Sequence, residues 1–494
     1  MRSLKLQQNQ RVVKKSDIDK SLSWIMVFNR VIDSDFPYAE VFSARRSMVA
    51  CETIDIHPIV FDLPNALSSH VSYGCIDDKQ SSFALLTLAR RLVAGHAVFK
   101  SKAVSISVVG FDAISTERIT EAIMAAVLSG ISVMPSFKKK QKKRLKALNR
   151  ITLYGIKKSH EFRRTFAESE GNALARSLSM LPPNKLTPAI YLQRVRKLAK
   201  ENKWKLQVYN TKKLQEYKAG AFLAVSQGSP KDDAGIVKLT FNPMGKNSKS
   251  RLVLVGKGIC YDTGGVNLKP ARHMFGMHED MQGSAVALGT FLALTRLQVD
   301  FSVECWLALA MNHIGSKAYK PNDLVTAYDG TTIEVVHTDA EGRMVLADTL
   351  AMATQSKPKL IIDYATLTGD CIYSLGTAYS GVFTNQELWL SSLIEAGVIS
   401  GERVWPFPID EDFEDALSSD IADIKQCSLD AGVDHILAAK FLQRFVKNKT
   451  PWVHVDLSSS HHKGGLAHIP TDTIGFGIRF TLQFLLDKKK LWLV

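Results

Sequence analysis

The run RLVLVGKGI, residues 251–259, decides the fold. It is short, dense in Val, Leu and Ile, and broken only by glycine and one lysine. Three other runs share its character: GIVKLTFNP from 235, FSVECWLALAM from 301 and KLIIDYATL from 359. Nearly unbroken apolar runs of this length suit strands covered on both faces, as in a mostly parallel sheet flanked by helices. In such sheets ligands bind beyond the carboxyl ends of the strands. Helical text lies between the runs: TPAIYLQRVRKLAKEN (187–202), TKKLQEYKAGAFLAVSQGS (211–229) and MQGSAVALGTFLAL (281–294), with a strand at WKLQVYN (204–210).

The N-terminal third reads as a smaller α/β unit. AVSISVVGF (103–111) has a strand signature, STERITEAIMAAVLSG (115–130) has helical spacing, and RITLYGI (150–156) is a second strand. Residues 21–160 therefore form an N-terminal α/β domain. FAESEGNALARSLSML (166–181) stops at Pro182-Pro183, which cannot continue a helix, so 161–182 is a linker helix. Residues 183–494 form the larger C-terminal α/β domain. Residues 1–20, polar and basic, are expected to be disordered.

Composition narrows the function. The chain has 494 residues, 46% hydrophobic and 22% charged, enough for more than one core. Its longest nearly unbroken apolar stretch, AIMAAVLSGISVM (122–134), is too short for the roughly 20 residues that cross a bilayer. No secretory signal is expected from the basic N-terminal stretch, and no disulfide framework from six scattered cysteines, so a cytoplasmic protein is expected. The net charge of +15 is uneven: residues 1–170 carry 27 Lys+Arg against 16 Asp+Glu. KKKQKKRLK (138–146) accounts for much of the excess. It reads either as a solvated run or as a grip for nucleic-acid phosphates.

The chemistry lies in two stretches. GKGICYDTGGVNLKPARHMFGMHEDMQGSAVALG (256–289) places Lys257, Asp262, Lys269 and Asp280 among glycines and apolar residues. HTDAEGRMVLADTL (337–350) adds Asp339, Glu341 and Arg343 before an apolar helix. An extended chain through 337–341 would turn His337, Asp339 and Glu341 to one side. Thr338 and Glu341 also have the spacing of a helix capping box. Both stretches follow strand-like runs, so their charges can converge at the strand ends. Several carboxylates sharing a buried site need cations, and two lysines with one arginine balance them only in part. Divalent metals would complete the neutralisation and serve hydrolysis of a carbonyl or a phosphoryl group.

These stretches, with LARSLSMLPPNKLTPA, DYATLTGDCIYSLG, SSDIADIK and TDTIGFGIRFTLQFL, resemble the leucyl (cytosol) aminopeptidase family over roughly 170–494. The resemblance implies a two-metal exopeptidase acting on peptides, with Zn²⁺ and/or Mn²⁺, assembled as a homohexamer. It implies that Lys257, Asp262, Asp280 and Glu341 hold a tighter metal, and that Asp262, Asp339 and Glu341 hold an exchangeable one. Lys269 would stabilise the tetrahedral intermediate, and Arg343 would anchor a bicarbonate acting as general base. His337 stands where the family usually has Asn, and Met344 where it has Leu. Met277, Thr366, Leu367, Gly369, Ser458 and His461 would line the pocket for the first side chain, with Ser458 and His461 replacing the usual Ala and Met. A preference for side chains more polar than leucine is therefore expected. The alternatives are another two-metal hydrolase and nucleic-acid binding through the basic N-terminal domain.

Overall fold

A computed structural model describes residues 4–49, 57–96, 101–139, 148–156, 161–243, 251–430 and 432–493. Its backbone contacts divide it into two units. The first comprises Met1–Glu170, Val398–Gly401 and Lys463–Asp472; the second comprises Gly171–Gly397, Glu402–His462 and Thr473–Val494.

The first unit holds a six-stranded sheet, in the order Lys5–Asn9, Arg150–Tyr154, Ala103–Val109, Ser23–Asn29, His70–Ile76 and Ile59–Asp62. All neighbours are parallel except the last pair. The Ala113–Ile131 helix connects two adjacent parallel strands, as the strand–helix–strand text requires. Asp112 caps it by accepting the Ser115 N–H at 2.7 Å. Residues 4–20 depart from the disorder expected of 1–20. Lys5–Asn9 pairs in parallel with Arg150–Tyr154, Leu4 and Leu6 pack on the core, and Ile18 is buried. An edge strand needs few apolar residues because its backbone hydrogen bonds carry it, so its polar text hid it. Of the basic run, residues 140–146 lie outside those described.

The second unit is built on an eight-stranded sheet. Its order is Val404–Pro406, Ser380–Thr384, Trp452–Asp456, Leu360–Ala365, Arg251–Asp262, Ser302–Asn312, Gly235–Phe241 and Lys205–Asn210. The four central strands run parallel and the flanking pairs are mixed. The opening run forms one of these central strands, and Leu252, Val253, Leu254 and Val255 in it are fully buried. Burying each such side chain contributes roughly 1.5–3 kcal/mol, which is why apolar text continues on both faces. A small sheet of Leu324–Thr326, Thr332–Glu334 and Ile424–Lys425 lies in the same unit. The text 211–229, read as one helix, forms two, Thr211–Glu216 and Gly220–Ser226, separated where Lys218 takes a positive φ.

The Gln282–Leu297 helix lies directly on the central strands. Gly283 makes this possible, because a Cβ there would stand 2.1 Å from the Tyr364 carbonyl oxygen. Among the described residues no helix is long and apolar enough to cross a membrane. Gly283→Ala should force the helix off the sheet and lower unfolding stability by about 1–3 kcal/mol. A urea midpoint equal to that of the wild type would show that the contact can relax.

Candidate active site

Four parallel strands deliver polar residues at their carboxyl ends. Asp262, Asn312 and Asp456 each end a strand, and Thr366 follows Leu360–Ala365 directly. Asp280 closes the single turn Met277–Glu279, just before the Gln282–Leu297 helix. Glu341 opens the Glu341–Thr354 helix. The sheet therefore gathers side chains that lie far apart in sequence.

Two lysines interleave with four acids. Lys257 Nζ lies 2.7 Å from Asp280 Oδ1 and 2.9 Å from Glu341 Oε1, and donates to the Thr366 carbonyl at 2.9 Å. Lys269 Nζ lies 2.9 Å from Asp262 Oδ2 and 2.6 Å from Asp339 Oδ1. Gly342 leaves room for the first lysine, since a Cβ there would stand 2.6 Å from Lys257 Cε.

The electrostatics follow from this crowding. Burial alone would lower the Lys257 pKa, but Asp280, Glu341 and Asp262 raise it above the usual lysine value. Burial likewise opposes the charge on Lys269, and Asp262, Glu341 and Asp339 outweigh it and raise its pKa. Burial raises the pKa of Asp280 well above the carboxylate range despite Lys257. Burial, with repulsion from Asp262 and Glu341, pushes Asp339 up to about 7.

The donor set fits a divalent cation. Asp262, Asp280 and Glu341 each offer an oxygen, and the three lie within 4.8 Å of one another. Among the described residues Asp280 Oδ2 and Glu341 Oε2 are buried without a hydrogen-bond partner. Buried carboxylate oxygens left unpaired are costly unless something cationic meets them.

The turn carrying Asp339 differs from the extended chain expected. Ala340 N–H donates back to the His337 carbonyl at 3.1 Å, and the His337 ring accepts the Asp339 N–H at 3.3 Å. Burial, followed by the charge of Lys269, lowers the His337 pKa. The capping box is also absent. Ala340 is the N-cap, and Thr338 Oγ1 instead donates to the Gly264 carbonyl at 2.6 Å while accepting the Asn267 N–H at 2.8 Å. Thr338 thus ties one charged stretch to the other.

Outer partners that sequence reasoning missed hold these groups. Asn312 Nδ2 donates to Asp262 Oδ1 at 2.8 Å and to the Thr338 carbonyl at 3.0 Å, which the Tyr319 hydroxyl also reaches at 2.8 Å. Gln426 follows the Ile424–Lys425 strand. Its Oε1 accepts N–H groups of Val336 and His337 at 3.2 and 3.1 Å, and its Nε2 donates to the Ala340 carbonyl at 3.0 Å. Gln426 directly follows the quoted SSDIADIK stretch (418–425), the one signal that could have found it.

Arg343 is buried; both terminal nitrogens of its guanidinium are engaged, while among the described residues Nε is buried without a partner. Nη2 meets Asp434 Oδ2 at 2.5 Å, and Nη1 donates to the Gln426 carbonyl at 3.1 Å.

The expected pocket residues divide. Thr366 Oγ1 donates to Asp280 Oδ1 at 2.7 Å, and the Leu367 N–H donates to Asp456 Oδ1 at 3.1 Å. Met277 opens the turn that carries Asp280, and Gly369 opens the Gly369–Leu375 helix. His461 Nδ1 lies 3.0 Å from Glu279 Oε2, on that same turn, and remains about half exposed. Ser458 is buried and donates to the Tyr379 carbonyl at 2.7 Å, so its hydroxyl is committed inside the protein. All six of these residues lie within the second unit.

Gln426→Ala should loosen the 336–340 turn and weaken divalent-cation binding by roughly 10–100-fold. Titration calorimetry with Zn²⁺ or Mn²⁺ checks this, and an unchanged affinity would remove Gln426 from the supporting set.

Known proteins resemble the chain as follows. The model of the cytosol aminopeptidase family catalytic domain matches residues 173–482. A probable cytosol aminopeptidase of Stutzerimonas stutzeri is 38% identical over 415 residues, covering 82% of this chain and 80% of the relative. One from Wolbachia pipientis is 41% identical over 326 residues, covering 65% and 64%. A solved mutant of tomato leucine aminopeptidase superposes with a TM-score of 0.85 at 24% identity, covering 98% of this chain and 96% of that one, and shows the shared fold. The chain belongs to the cytosol aminopeptidase family and is a metallo-aminopeptidase.

Proposed function

We propose that the protein releases N-terminal residues from peptides using two divalent cations, Zn²⁺ and/or Mn²⁺. The observation that carries this reading is the pair of lysines wedged among four carboxylates at the strand ends. Lys257, Asp262, Asp280 and Glu341 would hold one ion, and Asp262, Asp339 and Glu341 the other. Bound there, such ions supply a polarised carbonyl and an activated water.

The chain's own residues do the rest. Lys257 can serve as a ligand only as the free amine, so cation binding must displace its proton. Lys269, kept charged by the acids around it, donates to the oxygen on which negative charge develops. An ammonium placed this way suits a carbonyl oxyanion, which favours peptide hydrolysis over phosphoester hydrolysis. Thr366 orients Asp280 through its hydroxyl and Lys257 through its carbonyl. A bicarbonate at Arg343 would compete with the Asp434 carboxylate, which already pairs with Nη2, and only Nε stands without a partner among the described residues.

The first side chain of the substrate would meet His461 and Met277. His461, half exposed and held by Glu279, is the polar group that supports a preference beyond leucine, whereas Ser458 is turned inward. A place in the cytoplasm completes the reading, in keeping with the names of the relatives, and the homohexamer rests on the family resemblance alone. The nucleic-acid alternative rests on the run 138–146 and gains nothing from the described site.

Release of free amino acid from peptides should be abolished by chelator, restored by added metal, and reduced at least about 100-fold in Asp280→Asn. Full activity in that variant would remove Asp280 from the ligand set. On a panel of aminoacyl substrates, Gln, Glu or Asp should be cleaved at least as well as Leu, with the difference narrowed in His461→Ala. A clear wild-type preference for Leu would refute the polar pocket.

A further inference from the structure

Arg343 lies two residues beyond Glu341 on the same helix, with its side chain only 1% exposed. A guanidinium that deeply buried needs a counter-charge, or its desolvation goes uncompensated. Asp434 supplies it at 2.5 Å. Asp434 is itself held in place: it opens the Asp434–Phe445 helix, and its N–H donates to Asp370 Oδ2 at 2.8 Å. Asp370 belongs to the first turn of the Gly369–Leu375 helix, beside the pocket. A line of contacts therefore runs from Asp370 through Asp434 to Arg343. Among the described residues Asp434 Oδ1 is buried with no hydrogen-bond partner, so one oxygen is spent on the arginine and the other is not.

We infer that Asp434 is a positioning residue: it is the built-in anion of Arg343 and completes the site without an anion captured from solution. The inference rests on the aminopeptidase reading. It gives this chain a property that the bare constellation of lysines and acids does not, namely independence from dissolved bicarbonate. Removing the Asp434 carboxylate leaves a buried, uncompensated guanidinium, which becomes a site for a small oxyanion of the carboxylate type.

The test uses the full-length, metal-loaded enzyme in buffer freed of carbon dioxide. Peptide turnover is followed with and without bicarbonate or formate, and binding of ¹³C-labelled bicarbonate is followed by NMR. Wild-type turnover should change less than about twofold on adding bicarbonate, and the labelled signal should stay sharp. Asp434→Ala should lose about tenfold or more in kcat, recover on adding bicarbonate or formate, and bind the label, while Asp434→Glu keeps most of the activity. Specific binding of the label to wild type, or a wild-type requirement for bicarbonate, would overturn the inference. So would an Asp434→Ala protein with full kcat and no anion binding. Should the alanine variant fail to fold, Asp434→Asn and the wild-type NMR arm still decide. A protein that binds no anion and cleaves no peptide refutes the aminopeptidase reading instead, so the two failures are distinguishable.

Discussion

Mutual compensation between two ammonium groups and four carboxylates, three of them buried and Asp339 partly so, is the constraint on which the site depends. Asp262, Asp280, Asp339 and Glu341 arrive from a strand end, a single turn, a loop and a helix start. Each is costly to bury alone, and removing one partner from such a cluster typically costs 3–5 kcal/mol. The surrounding backbone must therefore deliver all six groups together. That requirement accounts for the small residues beneath the site. Gly342 makes space for the Lys257 stem, and Gly283 lets the Gln282–Leu297 helix sit on the strand that ends at Ala365.

The sheet was readable because parallel strands buried on both faces leave an unbroken apolar signature. The edge strand Lys5–Asn9 was not, because its side chains remain half in water and backbone pairing carries no mark in the text. The same contrast holds in the site. Charged residues set among glycines just after apolar runs stood out, and the structure brings Lys257, Asp262, Lys269, Asp280, Asp339 and Glu341 into one set of contacts. Asn312, Gln426 and Asp434 gave no such signal. One amide or carboxyl meeting a distant backbone group or side chain has no period and no spacing, so its role exists only in three dimensions.

Thr338 illustrates how local rules yield to tertiary ones. Its spacing to Glu341 satisfied a capping pattern, yet its hydroxyl bridges to Gly264 and Asn267 instead. Glu341 is consequently free of capping duty and turns to Lys257. The helix start gives up a local hydrogen bond, and the two charged stretches gain a fixed spacing. Gln426 reinforces this by holding the 336–340 turn from the opposite side.

The turn Met277–Glu279 has two employers. Its end presents Asp280 to Lys257, while Glu279 holds His461 and accepts from Thr473 at 2.9 Å. In the proposed reading, selectivity and chemistry therefore share one short piece of backbone. A lineage that swaps His461 for a bulkier neighbour would disturb the acid next door. Diversification of diet in this enzyme should accordingly proceed by paired changes, with Glu279 drifting in step with position 461.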